Sequence, residues 1–551
     1  MRRACPWALW TLLCVALLSP SLLLAQQRPA DPGNKPPVWS GALRGAYSPG
    51  RANNDLLSYE LTVRVDPVAR TIRGANRIRF RMLAEGARIQ LELYANLAID
   101  AITMDGRPLT YVRDENRILV SGKRAFKKGR VYAIDVAYSG APLQTGRFGG
   151  FVFDKDPTGA PWIFTACEDE GAALWWPNKD QWKDEVEWMS IAVEVPSPLV
   201  AVSNGHFEGK EDLPGGYTRW NWKVHYPINN YGVALNIGRY VQYQERYKDL
   251  PLDFFTLPED QARARVQFAQ VPEMLAAFER FIGPYPFPRD GYKLIQVPYA
   301  GMEHQSAVAY GNGFANGYRQ RDFTGVGISP RFDFIIVHES AHEYFGNAVS
   351  AADVADMWLH ESWGTYLESL YVEHRWGKAD MLAYTNGYKA KVKNTQPILQ
   401  PRGVHQSPPT DDQYFKGSLF LNTLRSVVGD DDAWFRLLRG YFATFRYRNI
   451  LTEDVVGYFN RETQRDLTPI FNQYLRHAAL PTLELAFDTP GAVRYRWKAD
   501  EPAFDMPVLV GRKDAWERVQ PRTTWQTLQT PLTKESFAVA TDLFYVNVDT
   551  H

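Results

Sequence analysis

The sequence contains little cysteine: of its 551 residues only three are cysteine, at positions 5, 14 and 167. Two of these lie in a leader that has the layout of a cleavable export signal, so only Cys167 would remain in the mature chain. Since one cysteine cannot pair within a chain, the sequence excludes a fold held together by disulfide bonds.

An excess of charge of either sign is also lacking, because 62 lysine and arginine residues balance 62 aspartate and glutamate residues. This balance is untypical of nucleic-acid-binding proteins, and we expect no nucleic-acid partner. Hydrophobic residues make up 45% of the chain and aromatic residues 14%, which excludes a disordered chain and predicts a globular protein. A chain of this length predicts several domains.

Residues 1–25 are predicted to be a signal peptide. Basic residues precede an apolar run at 7–24, and Ala25 is a small residue suited to cleavage. We therefore predict an exported protein that is periplasmic or secreted. The alternative is an N-terminal membrane anchor, because the run is nearly long enough to cross a bilayer, but Pro20 argues against it. No later segment reads as transmembrane, so we expect no stable membrane insertion after cleavage.

The first half of the mature chain predicts β structure. Residues 26–54 are rich in proline and glycine, and they predict a linker or a surface wrap. Apolar and polar side chains then alternate, and Asp105 with Gly106 forms a hairpin signal. We predict an N-terminal antiparallel β domain over 55–245, with strands at 59–65, 71–82, 89–93 and 132–138.

The pattern changes to a helical one from about residue 258. Residues 246–481 predict a mainly helical domain with a strand at 293–297, and its long helices are predicted at 331–347, 355–376, 417–445 and 452–479. Residues 482–551 return to short alternating segments such as 494–497 and 544–548, which predict a small C-terminal β-sandwich domain. The fold class is therefore multidomain α+β.

Two histidines one helical turn apart mark a candidate metal site. His338 and His342 project from the same face of the predicted helix 331–347, as two imidazole ligands of one tetrahedral zinc ion would. Glu339 lies beside the open position of that ion, where it could serve as a general base. Taken alone, the two histidines could equally be solvated residues of a surface helix.

Glu361 supplies a third candidate ligand. It lies on the next predicted helix, which can return antiparallel and bring a carboxylate to the same metal. Two histidines and a glutamate leave the fourth position for water, as a catalytic rather than a structural zinc site requires. We therefore predict one Zn²⁺ per chain, bound by His338, His342 and Glu361.

In these blocks the sequence resembles the gluzincin aminopeptidases of peptidase family M1, which include aminopeptidase N and the leukotriene-epoxide hydrolase. Besides the zinc motif and Glu361, residues 300–304 (Ala-Gly-Met-Glu-His) are similar to the family's exopeptidase signature. Residues 414–417 (Tyr-Phe-Lys-Gly) are similar to its Tyr-x-Lys-Gly block. The resemblance implies a thermolysin-like catalytic domain and hydrolysis of the N-terminal residue from peptides.

The resemblance also implies roles for single residues. Tyr414 would donate a hydrogen bond to the oxyanion, and Glu303 would bind the free α-ammonium group of a peptide. The backbone of Gly301 and Met302 would hydrogen-bond the substrate. Glu168 aligns with a second amine-binding residue of the family, although its acidic surroundings are also typical of a solvated surface or a calcium-binding loop.

Glu368 shares a helical face with Glu361 and could orient a zinc-binding histidine from behind. A structural salt bridge is the alternative for this residue. Three positions depart from the family pattern: His304 replaces an asparagine, Tyr344 a tryptophan, and His360 the asparagine before the zinc-binding glutamate. These departures leave the side-chain preference of the first pocket open.

The expected partners are peptides with a free N-terminus. The segment after Tyr414 is too short for the large C-terminal helical domain of many relatives, so we expect a more open site or a homo-oligomer in which a second subunit covers it. Rival functions are epoxide hydrolysis, endopeptidase activity, and a catalytically inactive scaffold. Retention of the zinc ligands, Glu339 and Tyr414 argues against the scaffold.

Overall fold

A computed structural model describes residues 45–551 except positions 147, 169, 406, 407 and 514. The predicted signal peptide and residues 26–44 of the predicted linker lie outside the described residues. The described residues belong to one compact unit. Within this part of the chain, no helix is both long and apolar enough to cross a bilayer.

The end of the predicted linker is packed into the fold rather than laid over it. A short helix, α1 (Pro49–Ala52), carries Arg51, whose side chain is fully buried. Its guanidinium pairs with Glu92 at 2.8 Å and donates to the carbonyl of Ala46. A buried ion pair needs this close partner, because an isolated charge in the interior is costly.

Residues 54–238 form strands and connecting turns, and the strands predicted at 59–65, 71–82, 89–93 and 132–138 are confirmed. The hairpin predicted at Asp105 and Gly106 connects β4 to β5. The strands are β1 Asn54–Asp66, β2 Thr71–Met82, β3 Gly86–Glu92, β4 Leu97–Met104, β5 Arg107–Pro108, β6 Thr110–Asp114, β7 Arg117–Phe126, β8 Val131–Gly140, β9 Gly150–Lys155, β10 Pro161–Ala166, β11 Trp188–Pro196, β12 Val200–Val202, β13 His206–Leu213, β14 Tyr217–Val224 and β15 Asn236–Gly238.

The described part of this region contains an eight-stranded sheet in the order β13-β14-β11-β1-β2-β8-β4-β5. Its pairs are antiparallel except for β1 with β11, which run parallel. In β1, Leu61, Val63 and Val65 are buried whereas Glu60 and Arg64 are exposed, which is the alternation expected of a sheet with one face on the core. The strands of a four-stranded sheet, β12-β15-β10-β9, alternate along the chain with strands of the first sheet, and β10 ends just before Glu168.

The helical region begins with a mixed sheet, in the order β16-β17-β18-β20-β19, with β16 Val241–Tyr247, β17 Leu250–Thr256, β18 Tyr292–Gln296, β19 Gly301–Met302 and β20 Val308–Tyr310. Its helices are α2 Gln261–Phe268, α3 Val271–Phe281, α4 Phe334–Ala341, α5 Trp358–Trp376, α6 Lys378–Gly387, α7 Asp412–Val428, α8 Asp431–Phe445, α9 Thr452–Thr463 and α10 Thr468–Arg476. Two short strands, β21 Val349–Ala351 and β22 Arg448–Ile450, pair in parallel. Short 3-10 helices lie at Ala172–Leu174, Asn230–Gly232, Pro258–Asp260, Ser329–Arg331, Val354–Asp356 and Tyr388–Lys391.

The prediction of unbroken helices over 417–445 and 452–479 is wrong. Gly429 adopts a left-handed conformation, with φ of 78°, and ends α7, and the Asp430 side chain then caps α8. Gln464, also left-handed, ends α9 before α10 begins. The helix predicted at 331–347 is likewise shorter, because it starts only after Asp333 and ends at Ala341. The apolar periodicity of the sequence continues across these breaks, because the helices on either side pack against the same core.

The last segment contains a four-stranded sheet, β27-β24-β23-β29, and a three-stranded sheet, β26-β25-β28, among the described residues. Their bounds are β23 Thr482–Thr489, β24 Ala492–Lys498, β25 Val508–Arg512, β26 Ala515–Val519, β27 Gln526–Gln529, β28 Ala538–Val539 and β29 Asn547–Thr550. The strand predicted at 494–497 is confirmed within β24.

The strand predicted over 544–548 is wrong in its first half, since β29 begins only at Asn547. The backbone of Tyr545 bonds instead to helix side chains: its N–H donates to Thr423 and its carbonyl accepts from Tyr474. Phe544 is fully buried, and it belongs to the same hydrophobic cluster as the helices. The C-terminal strands therefore share their core with the helical region.

Candidate active site

Helix α4, which contains His338 and ends at its C-cap residue His342, is fixed at its start by a buried carboxylate. One oxygen of Asp333 accepts hydrogen bonds from the N–H groups of Ile335 and Ile336, at 3.1 and 3.2 Å, which caps α4. The other oxygen accepts from the hydroxyl of Tyr310 at 2.7 Å. All residues of α4 are buried, so this helix holds His338 and Glu339 in one fixed orientation.

The three predicted metal ligands lie at the spacing that a tetrahedral zinc ion requires. Nε2 of His342 lies 3.4 Å from Nε2 of His338 and 3.4 Å from Oε2 of Glu361, and the third separation is 3.7 Å. Zinc bonds of about 2.0 to 2.2 Å at tetrahedral angles place ligand atoms roughly 3.4 Å apart. Oε2 of Glu361 is buried and, among the described residues, has no hydrogen-bond partner. The residues present therefore fit a zinc ion.

Each histidine is oriented through its other ring nitrogen. Nδ1 of His338 lies 2.6 Å from Oε1 of Glu368, and Nδ1 of His342 lies 3.0 Å from the carbonyl oxygen of Phe345. Acceptors at these positions keep the proton on Nδ1 and leave the Nε2 lone pair toward the metal position. The second oxygen of Glu368 accepts from Tyr384 at 2.7 Å, which fixes the carboxylate.

A cluster of three carboxylates adjoins the metal position. Oxygen atoms of Glu168, Glu303 and Glu361 all lie within 4.8 Å of one another, and all three residues are buried. Burial raises the pKa of Glu303, an effect that Glu361 increases and His342 opposes. Carboxylates this close favour a cation between them, since like charges in a buried site repel one another. The structure thus brings the two predicted amine-binding residues together beside the metal ligands.

Glu339 lies between the metal ligands and the strand β19. It is buried, and burial raises its pKa to about 7, a shift that His338 opposes and Glu303 increases. A carboxylate with a pKa near neutrality can both accept and release a proton. A methyl group at Gly301 would lie 2.6 Å from Oε1 of Glu339, so only glycine allows this close approach.

The strand β19, which consists of Gly301 and Met302, lies at the edge of its sheet. It pairs on one side with Tyr310 and Ala309 of β20, and its other side is not paired with a strand of the described chain. An edge strand presents backbone groups that an extended peptide can bond. The Met302 side chain points into a small apolar cluster with Ala309.

Tyr414 lies in the first turn of α7 with its ring 6.1 Å from the ring of His338, centroid to centroid. Two neighbours in the same block have structural contacts. The Lys416 ammonium donates to the carbonyls of His477 and Ala478, at 2.9 and 2.8 Å, and ties α7 to the end of α10. Gly417 lies against Ser362 of α5. This block therefore sets the distance between α5 and α7 while Tyr414 faces the site.

Several residues of the site were not identified from the sequence. The Tyr231 hydroxyl donates to Oε1 of Glu303 at 3.0 Å. The amide of Asn347 donates to the Glu303 carbonyl at 2.8 Å, and Glu343 accepts from the N–H of Ser306 at 2.9 Å. Only Glu343 gave a signal, as a carboxylate directly after His342 of the zinc motif. The others carry no motif, and only the tertiary structure brings them to Glu303.

Comparison with known proteins identifies two family models that match the chain. The family model described as "Peptidase M1 N-terminal domain" matches residues 56–231, and "Peptidase family M1 domain" matches residues 267–474. Together the two models match more than half of the chain.

Among curated relatives, "Probable aminopeptidase 1" of Saccharolobus solfataricus is 20% identical over 73% of this chain and 51% of its own length. "Aminopeptidase N" of Streptomyces lividans is 24% identical over 77% of this chain and 50% of its own length. The chain thus spans about half the length of these curated relatives. Among solved structures, an M1 zinc metallopeptidase from Deinococcus radiodurans has a TM-score of 0.67 at 21% identity, covering 78% of this chain and 94% of that one.

Proposed function

Because the chain belongs to peptidase family M1, we propose that it is a zinc-dependent aminopeptidase that removes the N-terminal residue from peptides. The observation that carries this proposal is that Glu361 belongs to two groups at once. It completes the metal-ligand set with His338 and His342, and it adjoins the acidic cluster with Glu168 and Glu303. A metal site and a cation-binding site that share Glu361 favour cleavage of the peptide bond next to a free amine.

His338, His342 and Glu361 would hold the zinc ion through two imidazole nitrogens and one carboxylate oxygen. When bound, zinc supplies Lewis acidity, which polarises a peptide carbonyl and lowers the pKa of water toward about 7. The remaining chemistry is proposed for side chains and backbone groups of the chain itself.

Glu339 is the proposed general base. Its carboxylate accepts a proton from the attacking water and then passes that proton to the nitrogen of the leaving peptide as the C–N bond breaks. Burial raises the pKa of Glu339, which makes its carboxylate a stronger base than an exposed glutamate. The close approach of Gly301 keeps the carboxylate next to the bound backbone.

Tyr414 is proposed to donate a hydrogen bond from its phenol to the carbonyl oxygen as negative charge develops there. A preorganised donor stabilises the transition state more than the substrate, because the ground-state carbonyl carries less charge. The position of Tyr414 beside the His338 ring supports this role.

Glu303 and Glu168 are proposed to bind the α-ammonium group of the substrate, and the unpaired edge of Gly301 and Met302 to bond its backbone. Two buried carboxylates form strong charge-assisted hydrogen bonds with an ammonium group. Binding the amine at a fixed distance from the metal selects the first peptide bond, which makes the enzyme an exopeptidase.

The wider organisation is part of the proposal. We propose the three domains predicted at 55–245, 246–481 and 482–551, with the first boundary moved to before β16, because Val241–Tyr247 pairs with β17 of the helical region. The last domain is proposed to be a β-sandwich built from its two sheets. We further propose export by the signal peptide at 1–25, which supports a periplasmic or secreted location, and peptides with a free N-terminus as the partners.

The experiment is a panel of peptides, each prepared with a free and with an acetylated N-terminus. We expect hydrolysis of the free peptides at the first bond and none of the acetylated peptides. Purified Glu339→Gln protein, prepared in parallel, controls for contaminating peptidases. Equal hydrolysis of both forms would identify an endopeptidase, and no hydrolysis by a zinc-loaded protein would contradict the proposal.

A further inference from the structure

His360, the residue before the zinc-binding Glu361, occupies an unusual position for a histidine. It is fully buried, and its ring stacks on that of Trp182, with centroids 5.3 Å apart and planes 4° apart. Trp182 also stacks on the ring of Tyr231, with centroids 5.0 Å apart. The three rings bring a histidine from α5 next to a tyrosine of the β region.

The hydrogen bonds of His360 determine its tautomer. The backbone N–H of Ala351 donates to Nε2 at 2.8 Å, so Nε2 accepts and carries no proton. A neutral imidazole with an unprotonated Nε2 carries its single proton on Nδ1. Nδ1 lies 3.4 Å from the hydroxyl oxygen of Tyr231, which is therefore the acceptor of that proton.

The tautomer of His360 also determines the direction of the hydrogen bond between Tyr231 and Glu303. Since the Tyr231 oxygen accepts from His360, its own proton is free to point elsewhere, and Oε1 of Glu303 lies 3.0 Å away. The bonds thus run in one direction, from the Ala351 N–H through His360 and Tyr231 to Glu303. Oε1 of Glu303 is bound by the last donor of this chain, which fixes the orientation of the carboxylate.

We propose that His360 is a positioning residue for substrate binding: it acts through Tyr231 to hold Glu303 in the orientation that binds the α-ammonium group. This inference rests on the proposed aminopeptidase function and adds a determinant of amine affinity to it. A tyrosine without an oriented donor behind it could direct its proton away from Glu303. The His360 donor removes that freedom, and fully connected buried networks of this kind hold their members in one geometry.

The test compares two competitive inhibitors of peptide hydrolysis, a non-hydrolysable dipeptide analogue with a free α-amine and the same compound with hydrogen in place of the amine. The variants are Tyr231→Phe, His360→Phe, which keeps a ring to stack on Trp182, and the double variant. We expect each single variant to weaken the amine-bearing inhibitor about tenfold, because a hydrogen bond to a charged group is lost or misdirected. Affinity for the des-amino inhibitor and zinc content should stay unchanged.

The double variant distinguishes a positioning role of His360 from a general structural role. If His360 acts through Tyr231, the double variant should be no worse than the weaker-binding single variant, because both changes break the same chain. Tyr240→Phe is the matched control: this buried phenol donates to the backbone carbonyl of Gln296, not to a carboxylate, and its loss should affect neither inhibitor.

Additive losses in the double variant, equal weakening of both inhibitors, or no change in Tyr231→Phe would each overturn the inference. Should His360→Phe fail to fold, His360→Gln offers an acceptor for the Ala351 N–H, and Tyr231→Phe still decides the outcome. A wild-type protein that hydrolyses no free-amine peptide would instead refute the proposed function. If the wild-type protein is active and Tyr231→Phe binds both inhibitors as tightly as the wild type does, only the inference about His360 is refuted.

Discussion

The Oε1 atom of Glu368 lies 2.6 Å from Nδ1 of His338, behind the ring as seen from the metal position. Its second oxygen is bound by Tyr384, so the carboxylate is itself fixed. A fixed acceptor behind a histidine raises the basicity of the opposite nitrogen and prevents the ring from turning. The residue is thus placed to act on the metal through His338, although it does not face the metal position.

We predict that Glu368→Ala lowers zinc affinity roughly 10- to 100-fold, because His338 loses the acceptor that orients it. Competition with a chelator of known affinity measures this change. Glu373→Ala is the matched control, since Glu373 lies on the same helix and pairs with Arg425 rather than with a zinc ligand. Unchanged zinc affinity in Glu368→Ala would show that Glu368 serves packing only.

The metal ligands could be predicted from the sequence because helix geometry alone brings His338 and His342 to one face. Their separation is local and does not depend on the rest of the fold. Glu361 could be predicted for a similar reason, because a following helix that runs antiparallel is the simplest way to bring a third ligand to the metal. Motifs identified Glu303 and Tyr414 by resemblance, and the structure places both near these ligands.

Glu368 could be predicted behind a zinc-binding histidine from its helical spacing, but the residues that support Glu303 could not, because their positions depend on contacts between distant segments. Tyr231 lies in the short 3-10 helix Asn230–Gly232 of the β region and has no motif, yet its hydroxyl donates to Glu303. The break at Gly429 was missed for a different reason. Apolar periodicity shows only which residues of a helix are buried. Helices α7 and α8 pack against the same core, so the left-handed residue between them does not interrupt the apolar pattern.

We predict that Glu339→Gln retains zinc and loses turnover by a factor on the order of 10² to 10⁴, since the amide cannot accept the proton of the attacking water. Metal analysis and steady-state kinetics on a free-amine peptide measure the two properties. A variant that loses zinc along with activity would indicate that Glu339 contributes to metal binding, and retained turnover would contradict its role as the base.

We predict that Tyr414→Phe lowers kcat by about 10²- to 10³-fold while KM changes little, because the lost hydrogen bond forms mainly in the transition state. The half-buried ring should still pack beside His338, so stability should be maintained. Kinetics on one peptide over a range of concentrations separates the two parameters. A rise in KM with unchanged kcat would assign Tyr414 to ground-state binding instead.

We predict that Gly417→Ala destabilises the protein by about 1 to 3 kcal/mol, because a methyl group there would overlap Oγ of Ser362. Helices α5 and α7 would have to separate, and α5 carries Glu361. Denaturant unfolding measures the loss. Gly457→Ala is the control: Gly457 is an exposed residue of α9, and no heavy atom lies within 4 Å of the position that an added methyl group would take, so alanine should stabilise by up to about 1 kcal/mol.

The double variant Ser362→Ala with Gly417→Ala tests the cause of that loss. Ser362→Ala removes the oxygen that the new methyl group would meet, along with the bond from this hydroxyl to the Gln413 carbonyl. We expect the double variant to be less destabilised than the sum of the single variants, since the closest overlap, with Oγ of Ser362, is removed, although Cβ of residue 362 would still lie 2.6 Å from the new methyl group. Strict additivity would mean that the overlap with Oγ of Ser362 is not the cause of the loss.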